Sequence, residues 1–385
     1  MYESEYFLLP GPTKVPPRIL RAMSKPMINH RGPKFKEILY RVTENVKKIF
    51  QTKNDVITLT CSGTGGIEAA VVNFINPGDK VIVASIGNFG ERFYKIAQKY
   101  RANVEFIDFG WGNAIDPEVI KNRLDQDKNH EIKAVLFQHN ETSTAIVNPV
   151  REISEARGDH PALLIVDSVS GMGAAELKTD EWALDVVVAG SQKAFMTPPG
   201  ITFISISERA WQAAVQNQNS KFYLDVIQAK KFYEKGQTPF TPAVSVMYAL
   251  DESLKIILEK GIDNIVKEHL FHRDIIRSAV RALGLKLAAA DAIASPAVTA
   301  VVVPEGIEPN QIRKKLLEEY NVVVAGGQGK FQGNTFRIGH LGFIQPLDLI
   351  AVISALEMVL YQLGYKIELG QGVRAAQELV MSRNL

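Results

Sequence analysis

Lys193 is the residue best placed to act as a nucleophile in this chain of 385 residues. It follows an apolar run at 185–190 that has the composition of a strand, and it precedes the loop AFMTPPG. Ligands of open α/β sheets bind at strand ends, and a lysine that is partly removed from water loses affinity for its proton. Such an amine could form a Schiff base with an aldehyde. Taken alone, a lysine at a strand end is more often a solvated loop residue.

Asp167 is the second candidate, because it also ends an apolar run. A carboxylate in that position is costly unless it has a partner. The pyridine nitrogen of pyridoxal phosphate would suit it, since a facing carboxylate keeps that nitrogen protonated and makes the ring a better electron sink. The alternative is that Asp167 caps the turn formed by residues 168–171.

The third candidate is a glycine-rich turn. It lies between an apolar run at 56–60 and the helix expected after it. The turn consists of Cys61, Ser62, Gly63, Thr64, Gly65 and Gly66. Backbone N–H groups at a helix N-terminus, together with the Thr64 hydroxyl, would form a cup for a phosphate dianion. The glycines could equally make a tight turn and nothing more. A dinucleotide fingerprint is not matched, because Glu68 stands where its third small residue belongs, and the Gly-Lys-Ser/Thr ending of a P-loop is missing.

These candidates follow strands in a repeating β and α pattern. Between residues 55 and 207, short β-rich runs alternate with helical segments, which is typical of a mostly parallel sheet covered by helices. We predict strands at 56–60, 80–85, 103–109, 132–138, 162–168, 185–190 and 201–207. Most of these runs are apolar throughout, as expected for strands buried on both faces. The predicted fold class is therefore α/β, with a large domain built on a mostly parallel seven-stranded sheet.

The length of the chain predicts two domains. From about residue 243 to 283 the pattern changes to longer helices, and the β-rich runs at 299–303 and 335–339 then flank another helix. A smaller C-terminal α+β domain is therefore expected. The first seventeen residues contain four prolines, which favour an extended arm over a helix. The predicted division is an N-terminal arm at 1–17, a large cofactor-binding domain at 18–262 and a small domain at 263–385.

Composition excludes several classes of protein. The 44 Lys and Arg residues nearly balance the 42 Asp and Glu residues, and neither sign forms a long block, so nothing indicates a nucleic-acid partner. No apolar run reaches transmembrane length, and the start of the chain lacks the basic residues of a secretory signal. The single cysteine, Cys61, excludes an internal disulfide and a cysteine-held metal cluster and fits a reducing compartment. We expect a cytoplasmic protein without a membrane partner.

The chain resembles the class V, fold-type I pyridoxal-phosphate aminotransferases along nearly its whole length. Within that class it is most similar to the alanine–glyoxylate, serine–glyoxylate and serine–pyruvate group. The motifs that carry the resemblance are LLPGPTKVPP, SGTGGIEAA, NPGDKVIV, GNFGER, ETSTAIVNP, VDSVSGMG, SQKAFMTPPG, TPAVS and FRIGHLG. The resemblance implies pyridoxal 5'-phosphate as the cofactor, a small amino acid and a small 2-oxo acid as substrates, and a homodimer with active sites at the subunit interface.

The resemblance also implies roles for single residues. Lys193 would form the Schiff base and then move the α-proton, and Asp167 would face the ring nitrogen. Phe89 would stack on the cofactor ring, where close relatives often have tryptophan, and Thr142 would touch the ring oxygen. Contacts to the phosphate are implied for Thr64, Gly65, Gly66 and Gln192 and, from the neighbouring subunit, for Thr241 and Thr238. Some relatives place a tyrosine at the position of Thr238.

The substrate side of the site is implied in the same way. Arg337, in the motif FRIG, matches the arginine that pairs with the substrate α-carboxylate, for which its planar fork is well suited. An arginine on a C-terminal strand is more often at the surface, but its apolar neighbours Phe336 and Ile338 favour an inward side chain. Gly11, in the arm, would line the substrate pocket through its backbone. The glycine-rich loop at 325–329 is either a mobile lip over the substrate or an ordinary hairpin.

Together these features predict transfer of an amino group from alanine or serine to glyoxylate or pyruvate. Alternatives within the same cofactor class are a phosphonate or phosphoserine transaminase and a desulfurase-like lyase. The lyase uses a catalytic cysteine on a later loop, whereas Cys61 stands beside the phosphate cup. A binding protein of the same fold without turnover is a further alternative. His269 and His272 have a spacing that could suit a metal, but no third ligand is apparent, so no metal is expected.

Overall fold

The computed structural model describes residues 5–383, so the first four residues of the predicted arm lie outside the described residues. The strands, in chain order, are β1 Tyr6–Leu8, β2 Asp55–Leu59, β3 Lys80–Ser85, β4 Asn103–Asp108, β5 Ile132–Gln138, β6 Asn140–Glu141, β7 Ile146–Val147, β8 Leu163–Asp167, β9 Val186–Gly190, β10 Thr202–Ile206, β11 Lys286–Leu287, β12 Val298–Val302, β13 Val322–Gly326 and β14 Thr335–Gly339. The α-helices are α1 Pro17–Met23, α2 Pro33–Phe50, α3 Gly63–Phe74, α4 Asn88–Lys99, α5 Pro117–Gln126, α6 Val150–Arg157, α7 Glu208–Gln216, α8 Val226–Tyr233, α9 Val244–Lys260, α10 Ile262–Ala282, α11 Pro309–Tyr320, α12 Pro346–Gln362 and α13 Gln371–Ser382.

The large sheet has seven strands in the order β2-β10-β9-β8-β5-β3-β4. Strand β10 runs antiparallel to both of its neighbours, and the other pairings are parallel. Each of the seven runs predicted from the sequence is a strand of this sheet, within one or two residues at the ends. The predicted mostly parallel seven-stranded sheet is therefore confirmed.

Helices cover both faces of the large sheet, which is why most of its strands are apolar throughout. One face packs against α2 and α9, and the other packs against α3, α4, α7 and α8. Strands β8, β9 and β10 are buried at every residue. The edge strand β4 instead alternates exposed and partly buried residues, so its mixed sequence NVEFID is that of a strand with one open side.

The small sheet has the order β1-β13-β14-β12-β11 and packs against α10, α11, α12 and α13. Strands β12 and β14 correspond to the two predicted runs. Strand β13 was not predicted, because its glycine-rich end resembled a loop. Within the predicted arm, Tyr6–Leu8 pairs in parallel with β13 and is thus a strand of the small sheet.

The two sheets are joined where α9 ends and α10 begins. Gly261 lies between these helices with φ +84°, a conformation that glycine adopts without steric cost. The predicted boundary at 262 falls at this turn, and the division into domains stays a prediction. Among residues 5–383, no helix combines the length and the apolar character needed to cross a membrane.

Candidate active site

A cleft of about 240 Å³ lies at the carboxyl edge of the large sheet, where β8 and β9 end. Its walls are formed by Ser62, Gly63, Thr64, Ile67, Phe89, Arg92, Asn140, Thr142, Asp167, Val169, Ser170, Gln192 and Lys193. The carboxyl ends of parallel strands meet at one edge of a sheet, so residues far apart in sequence converge there. Six residues singled out from the sequence meet in this cleft: Thr64, Phe89, Thr142, Asp167, Gln192 and Lys193.

Lys193 is held against the N-terminal arm. Its Nζ donates a hydrogen bond to the carbonyl oxygen of Pro10 at 2.8 Å. The hydroxyl of Thr13 in turn donates to the Lys193 carbonyl at 2.9 Å. Burial, with smaller contributions from Arg337 and Arg92, lowers the pKa of Lys193 to about 8 against the opposing effect of Asp167. A usable fraction of the amine is therefore uncharged near neutral pH.

Gly11 brings the arm into close contact with Lys193. Its φ of +129° lies in a region that residues with a side chain rarely adopt, and an added Cβ would collide with the Lys193 Nζ. The next close approach is at Gly339, where an added Cβ would lie 2.6 Å from the backbone nitrogen of Pro10. The arm therefore passes between the end of β14 and the lysine.

Asp167 both caps a turn and lines the cleft. Its Oδ1 accepts a hydrogen bond from the Val169 backbone at 3.0 Å, as in a capped turn. Its side chain nevertheless lines the cleft, and the residue is 9% exposed. Burial raises the pKa of Asp167 to about 6, against the opposing effects of the Val169 hydrogen bond, Arg92 and Lys193. The carboxyl group is therefore mainly ionised at neutral pH.

The glycine-rich turn forms the first turn of α3. Ser62 is its N-cap, and the Ser62 side chain accepts a hydrogen bond from the Gly65 backbone. Gly66 lies one step deeper, where an added Cβ would be 2.8 Å from Val188 Cγ1, so this glycine lets α3 pack closely onto the sheet. The residues of the turn that line the cleft are Ser62, Gly63 and Thr64, whereas Gly65 and Gly66 lie behind them.

Arg92 is a cleft residue that sequence reasoning missed. Its Nη1 donates to the Thr64 hydroxyl at 2.9 Å, and its guanidinium lies 4.7 Å from the centre of the Phe89 ring. Positive charge therefore stands beside the N-terminus of α3, which is itself an anion-binding position. The available signal was the spacing in GNFGER, because residues three apart share one helix face.

Asn140 and Ser170 also line the cleft without having been predicted. The Ser170 hydroxyl bonds to the Thr142 hydroxyl at 2.8 Å and receives a hydrogen bond from Asn140 Nδ2 at 2.9 Å. Within the described residues, Asn140 Oδ1 and Gln192 Oε1 are buried without a hydrogen-bond partner. Buried polar atoms of this kind are usually satisfied, so they are available to an occupant of the cleft.

Arg337 points inward, as its apolar neighbours predicted, and is 4% exposed. Its Nε donates to the carbonyl of Gly326 and its Nη1 donates to the carbonyl of Thr142, both at 2.9 Å. Burial lowers its pKa to about 10, which leaves the guanidinium charged at neutral pH. Arg337 stands behind Thr142 and does not itself line the cleft as defined above.

Thr238 and Thr241 lie outside this cleft. They border a separate small hollow together with Tyr223 and Phe240. Arg31 donates to the Thr238 carbonyl at 2.7 Å, which ties this segment to the start of α2. The predicted contact of these threonines with a phosphate would therefore have to be made in another subunit, and it stays a prediction.

The glycine-rich loop at 325–329 contacts Trp111. Gly329 packs on the Trp111 ring, and the rings of Trp111 and Phe331 meet edge to face with centres 5.3 Å apart.

His269 uses its two ring nitrogens in bonds with the Ile265 carbonyl and the Gly342 backbone N–H. Across residues 5–383 there is no group of three side chains arranged to hold a metal.

Comparison with known proteins covers almost the whole chain. The family model described as Aminotransferase class-V matches residues 5–333. The soluble hydrogenase 42 kDa subunit of Anabaena cylindrica is 42% identical over 96% of this chain and 97% of its own length. The serine–glyoxylate aminotransferase of Methylorubrum extorquens is 37% identical over 99% of this chain and 97% of its own length. The crystal structure of ureidoglycine–glyoxylate aminotransferase from Bacillus subtilis has a TM-score of 0.93, 31% identity and 99% coverage of both chains.

The seven-stranded sheet with a cleft at its carboxyl edge is the architecture of the fold-type I pyridoxal-phosphate enzymes. The chain belongs to the class V aminotransferase family, and its enzyme class is that of the transaminases. The resemblance stated from the sequence motifs is thereby confirmed.

Proposed function

We propose that the protein moves the amino group of a small amino acid, such as serine or alanine, to glyoxylate or pyruvate, with pyridoxal phosphate held on Lys193. The observation that carries this proposal is that one cleft contains a partly buried lysine amine, a buried carboxylate and the N-terminus of a helix. Two of the similar proteins described above have glyoxylate in their names, which supports glyoxylate as the acceptor.

The groups around the cleft fit the cofactor chemically. Lys193 offers an amine with a lowered pKa for an aldehyde, and Asp167 offers a carboxylate for a protonated ring nitrogen. The first turn of α3 leaves backbone N–H groups without intrahelical partners, and these, with Thr64 and Arg92, suit a phosphate dianion. The Phe89 ring provides an aromatic face.

When bound, pyridoxal phosphate supplies an electron sink that stabilises negative charge at the substrate α-carbon. Lys193 would hold the cofactor and, once displaced by the amino donor, its Nζ would accept and return the α-proton. Asp167 would keep the sink effective by remaining ionised opposite the ring nitrogen. These roles require one neutral amine and one ionised carboxylate at the same pH, which the pKa directions of the two residues permit.

Arg337 would anchor the substrate α-carboxylate. Two of its N–H groups are taken by the carbonyls of Gly326 and Thr142, and these bonds fix the plane of the guanidinium. The remaining N–H groups could then meet a carboxylate. Gly11 would line the same pocket through its backbone, next to Lys193. One carboxylate anchor serves both the amino acid and the 2-oxo acid, as a transaminase needs.

A homodimer is part of the proposal. Thr238 and Thr241 are too far from the cleft of their own chain to line it, and they lie in an exposed aromatic patch that includes Phe222, which is 74% exposed, and Tyr223. Exposed aromatic residues of this kind are frequent at protein interfaces. A second copy seated there would bring the two threonines to the neighbouring phosphate.

Alternatives agree less well with the chain. A desulfurase-like lyase needs a reactive thiol, but burial raises the pKa of Cys61 to about 11 and the thiol lies beneath Gly65. A hydrogenase subunit, which the name of the Anabaena relative would suggest, needs a redox metal cluster, and one cysteine cannot hold it.

The single cysteine also favours the cytoplasm as the proposed compartment.

A visible absorption spectrum of the purified protein is the direct test. We expect a band from the protein-bound cofactor that is bleached by serine or alanine and restored by glyoxylate or pyruvate. Phosphoserine and aminoethylphosphonate serve as comparison donors, because either would bleach the band selectively if the phosphorylated-substrate alternative held. No bleaching by any small amino acid would leave the protein as a binding protein without turnover.

A further inference from the structure

Glu141 is a buried carboxylate to which the proposed chemistry gives no role. It lies in β6, directly before Thr142, and it is completely buried. Its Oε2 accepts hydrogen bonds from the backbone N–H groups of Phe89 at 3.0 Å and Gly90 at 3.1 Å. Its Oε1 accepts hydrogen bonds from the Ser143 backbone at 3.0 Å and from the Ser143 hydroxyl at 2.6 Å.

These bonds cap the N-terminus of α4. The N-cap of this helix is Gly87, which has no side chain to satisfy the N–H groups of the first turn, and Glu141 takes that role from another segment. A negative charge at this end also favours the helix dipole. The fit is close, because a Cβ on Gly87 would lie 2.7 Å from the Glu141 carboxyl carbon. Glu141 therefore fixes the turn that carries Phe89 and Arg92.

The same short segment reaches Arg337. The Thr142 carbonyl accepts its hydrogen bond from Arg337, while the Ser143 hydroxyl accepts one from the Asn88 backbone at 3.0 Å. The charge of Glu141 also favours the protonated form of Arg337 and opposes the effect of burial on the arginine pKa. Residues 141–143 thus connect the aromatic wall of the cleft with the proposed carboxylate anchor.

The carboxylate form of Glu141 is the form that this arrangement requires. All four of its partners are donors, so each oxygen must act as an acceptor twice. A glutamine has the same shape, but its N–H₂ group would face one pair of these donors and leave at least one backbone N–H unpaired, because only the Ser143 hydroxyl can turn to accept. Unpaired buried donors are costly, and the α4 start would have to shift to reach other partners.

We propose that Glu141 is a positioning residue that holds the start of α4 against residues 141–143 and so fixes the Phe89 ring relative to Arg337. The functional meaning of this geometry rests on the proposed function. Glu141 does not touch the cofactor or the substrate in this account, and it acts through the Phe89 backbone on one side and through the Thr142 carbonyl on the other.

The first test needs no cofactor. Hydrogen exchange of the apoprotein is compared between the natural chain and Glu141→Gln. We expect the amides at the start of α4 to exchange about tenfold faster in the variant, since a charge-assisted cap is lost. Glu155→Gln is the matched control, because Glu155 is exposed and pairs with Arg151 on one helix. Unchanged exchange at residues 88–92 in Glu141→Gln would overturn the proposal.

The second test measures the dissociation constant of pyridoxal phosphate and the visible circular dichroism of the bound cofactor. Glu141→Gln should weaken binding about tenfold and alter the dichroic band. If Glu141 acts through Phe89, the same substitution should change binding less than about twofold in a Phe89→Ala background. An equal effect in both backgrounds would overturn the proposed route.

Ser143→Ala keeps the experiment decisive if Glu141→Gln does not fold. It removes one of the four donors and leaves the glutamate, so exchange at the α4 start and cofactor affinity should change in the same direction by about threefold. No change in either measurement would count against the proposal. A natural chain that bound no pyridoxal phosphate would refute the proposed function alone, because the exchange experiment on the apoprotein would still report on Glu141.

Discussion

Asp167 ends the buried strand β8 and Lys193 follows the neighbouring strand β9, whereas Gly11 meets Lys193 from the arm and Arg337 lies on β14, behind Thr142. Asp167 belongs to the hydrogen-bond ladder of the large sheet, and Lys193 lies three residues beyond Gly190, the last residue of β9. Arg337 belongs to the ladder of the small sheet, and single contacts with Gly326 and Thr142 orient its side chain. The arm meets Lys193 through the bond of the lysine with Pro10.

This difference suggests that the two halves of the cleft have different functions. In the proposed function, the strand-end half, defined by Lys193 and Asp167, provides the chemistry. The other half, defined by Gly11 and Arg337, provides the pocket for the substrate and depends on contacts between parts that are remote in sequence. Substitutions in the first half should stop turnover, and substitutions in the second should mainly alter substrate binding.

Lys193→Ala is the strongest test of the strand-end half. It removes the amine that holds the cofactor and moves the proton, so we expect kcat with serine and glyoxylate to fall by about 10⁴-fold. Steady-state kinetics with added pyridoxal phosphate measures this. Lys178→Ala is the control, since Lys178 lies on the surface and pairs with Glu181, and it should retain full activity. A Lys193→Ala enzyme with kcat near that of the natural chain would refute the assignment.

Gly11→Ala tests the arm. The added Cβ would collide with the Lys193 Nζ in a backbone conformation that alanine rarely adopts, so the arm must move. We expect kcat/KM to fall by about 100-fold. Gly333→Ala is a matched control, because Gly333 also has a positive φ, of +85°, but nothing lies within 4 Å of its Cβ position. Equal losses in the two variants would mean that backbone strain alone was responsible.

Arg337→Lys tests the carboxylate anchor. Lysine keeps the charge but cannot bond to both carbonyls and a carboxylate with a planar fork. We expect the KM for the amino donor to rise by about tenfold to 100-fold while kcat changes less. Arg374→Lys, on the partly exposed helix α13, is the control. A fall in kcat at unchanged KM would place Arg337 in the chemical half and break the comparison.

The pH dependence of cofactor binding should show the smallest difference between the two halves of the cleft. Schiff-base formation needs the neutral amine, and burial lowers the pKa of Lys193 to about 8. The rate constant for capture by the apoprotein should therefore rise about tenfold per pH unit below pH 8 and level off above it. Stopped-flow absorbance from pH 6.5 to 9.5 measures this rise. A rise that continued to about pH 10 would mean that the lysine is solvated.

Gly11→Ala should change this profile differently from Arg337→Lys. Displacement of the arm would let water reach Lys193, so the midpoint should move upward. Removing part of the Arg337 fork leaves a positive charge in place, so the midpoint should stay near 8. The same shift in both variants would show that the two halves are not separable.

The large sheet could be predicted well because most of its seven strands are apolar runs between helical segments, and burial on both faces requires such runs. Strand β13 was missed because its sequence, VVVAG, ends in glycines that also suit a loop. Strand β1 was missed for a different reason. Three residues in a proline-rich arm have no periodicity to read, and their pairing with β13 exists only once the small domain has folded.

The residues of the candidate site could likewise be predicted where the signal was local in the sequence. Lys193 and Asp167 could be singled out because each directly follows an apolar run, and a polar group there needs a reason. Arg92 and Glu141 were missed because their charges look ordinary in the sequence. Their positions depend on α4 lying against β6, which is a contact between separate segments.

The sequence alone determined the order along the chain of the strands of the large sheet and the chemical groups at their ends, because apolar periodicity and glycine turns are local properties. Tertiary structure decided which of those groups share a cleft, how far burial shifts the pKa values of Lys193 and Asp167, and which backbone carbonyls orient Arg337. These properties depend on distance and desolvation between segments that are remote along the chain, and neither exists until the chain is packed.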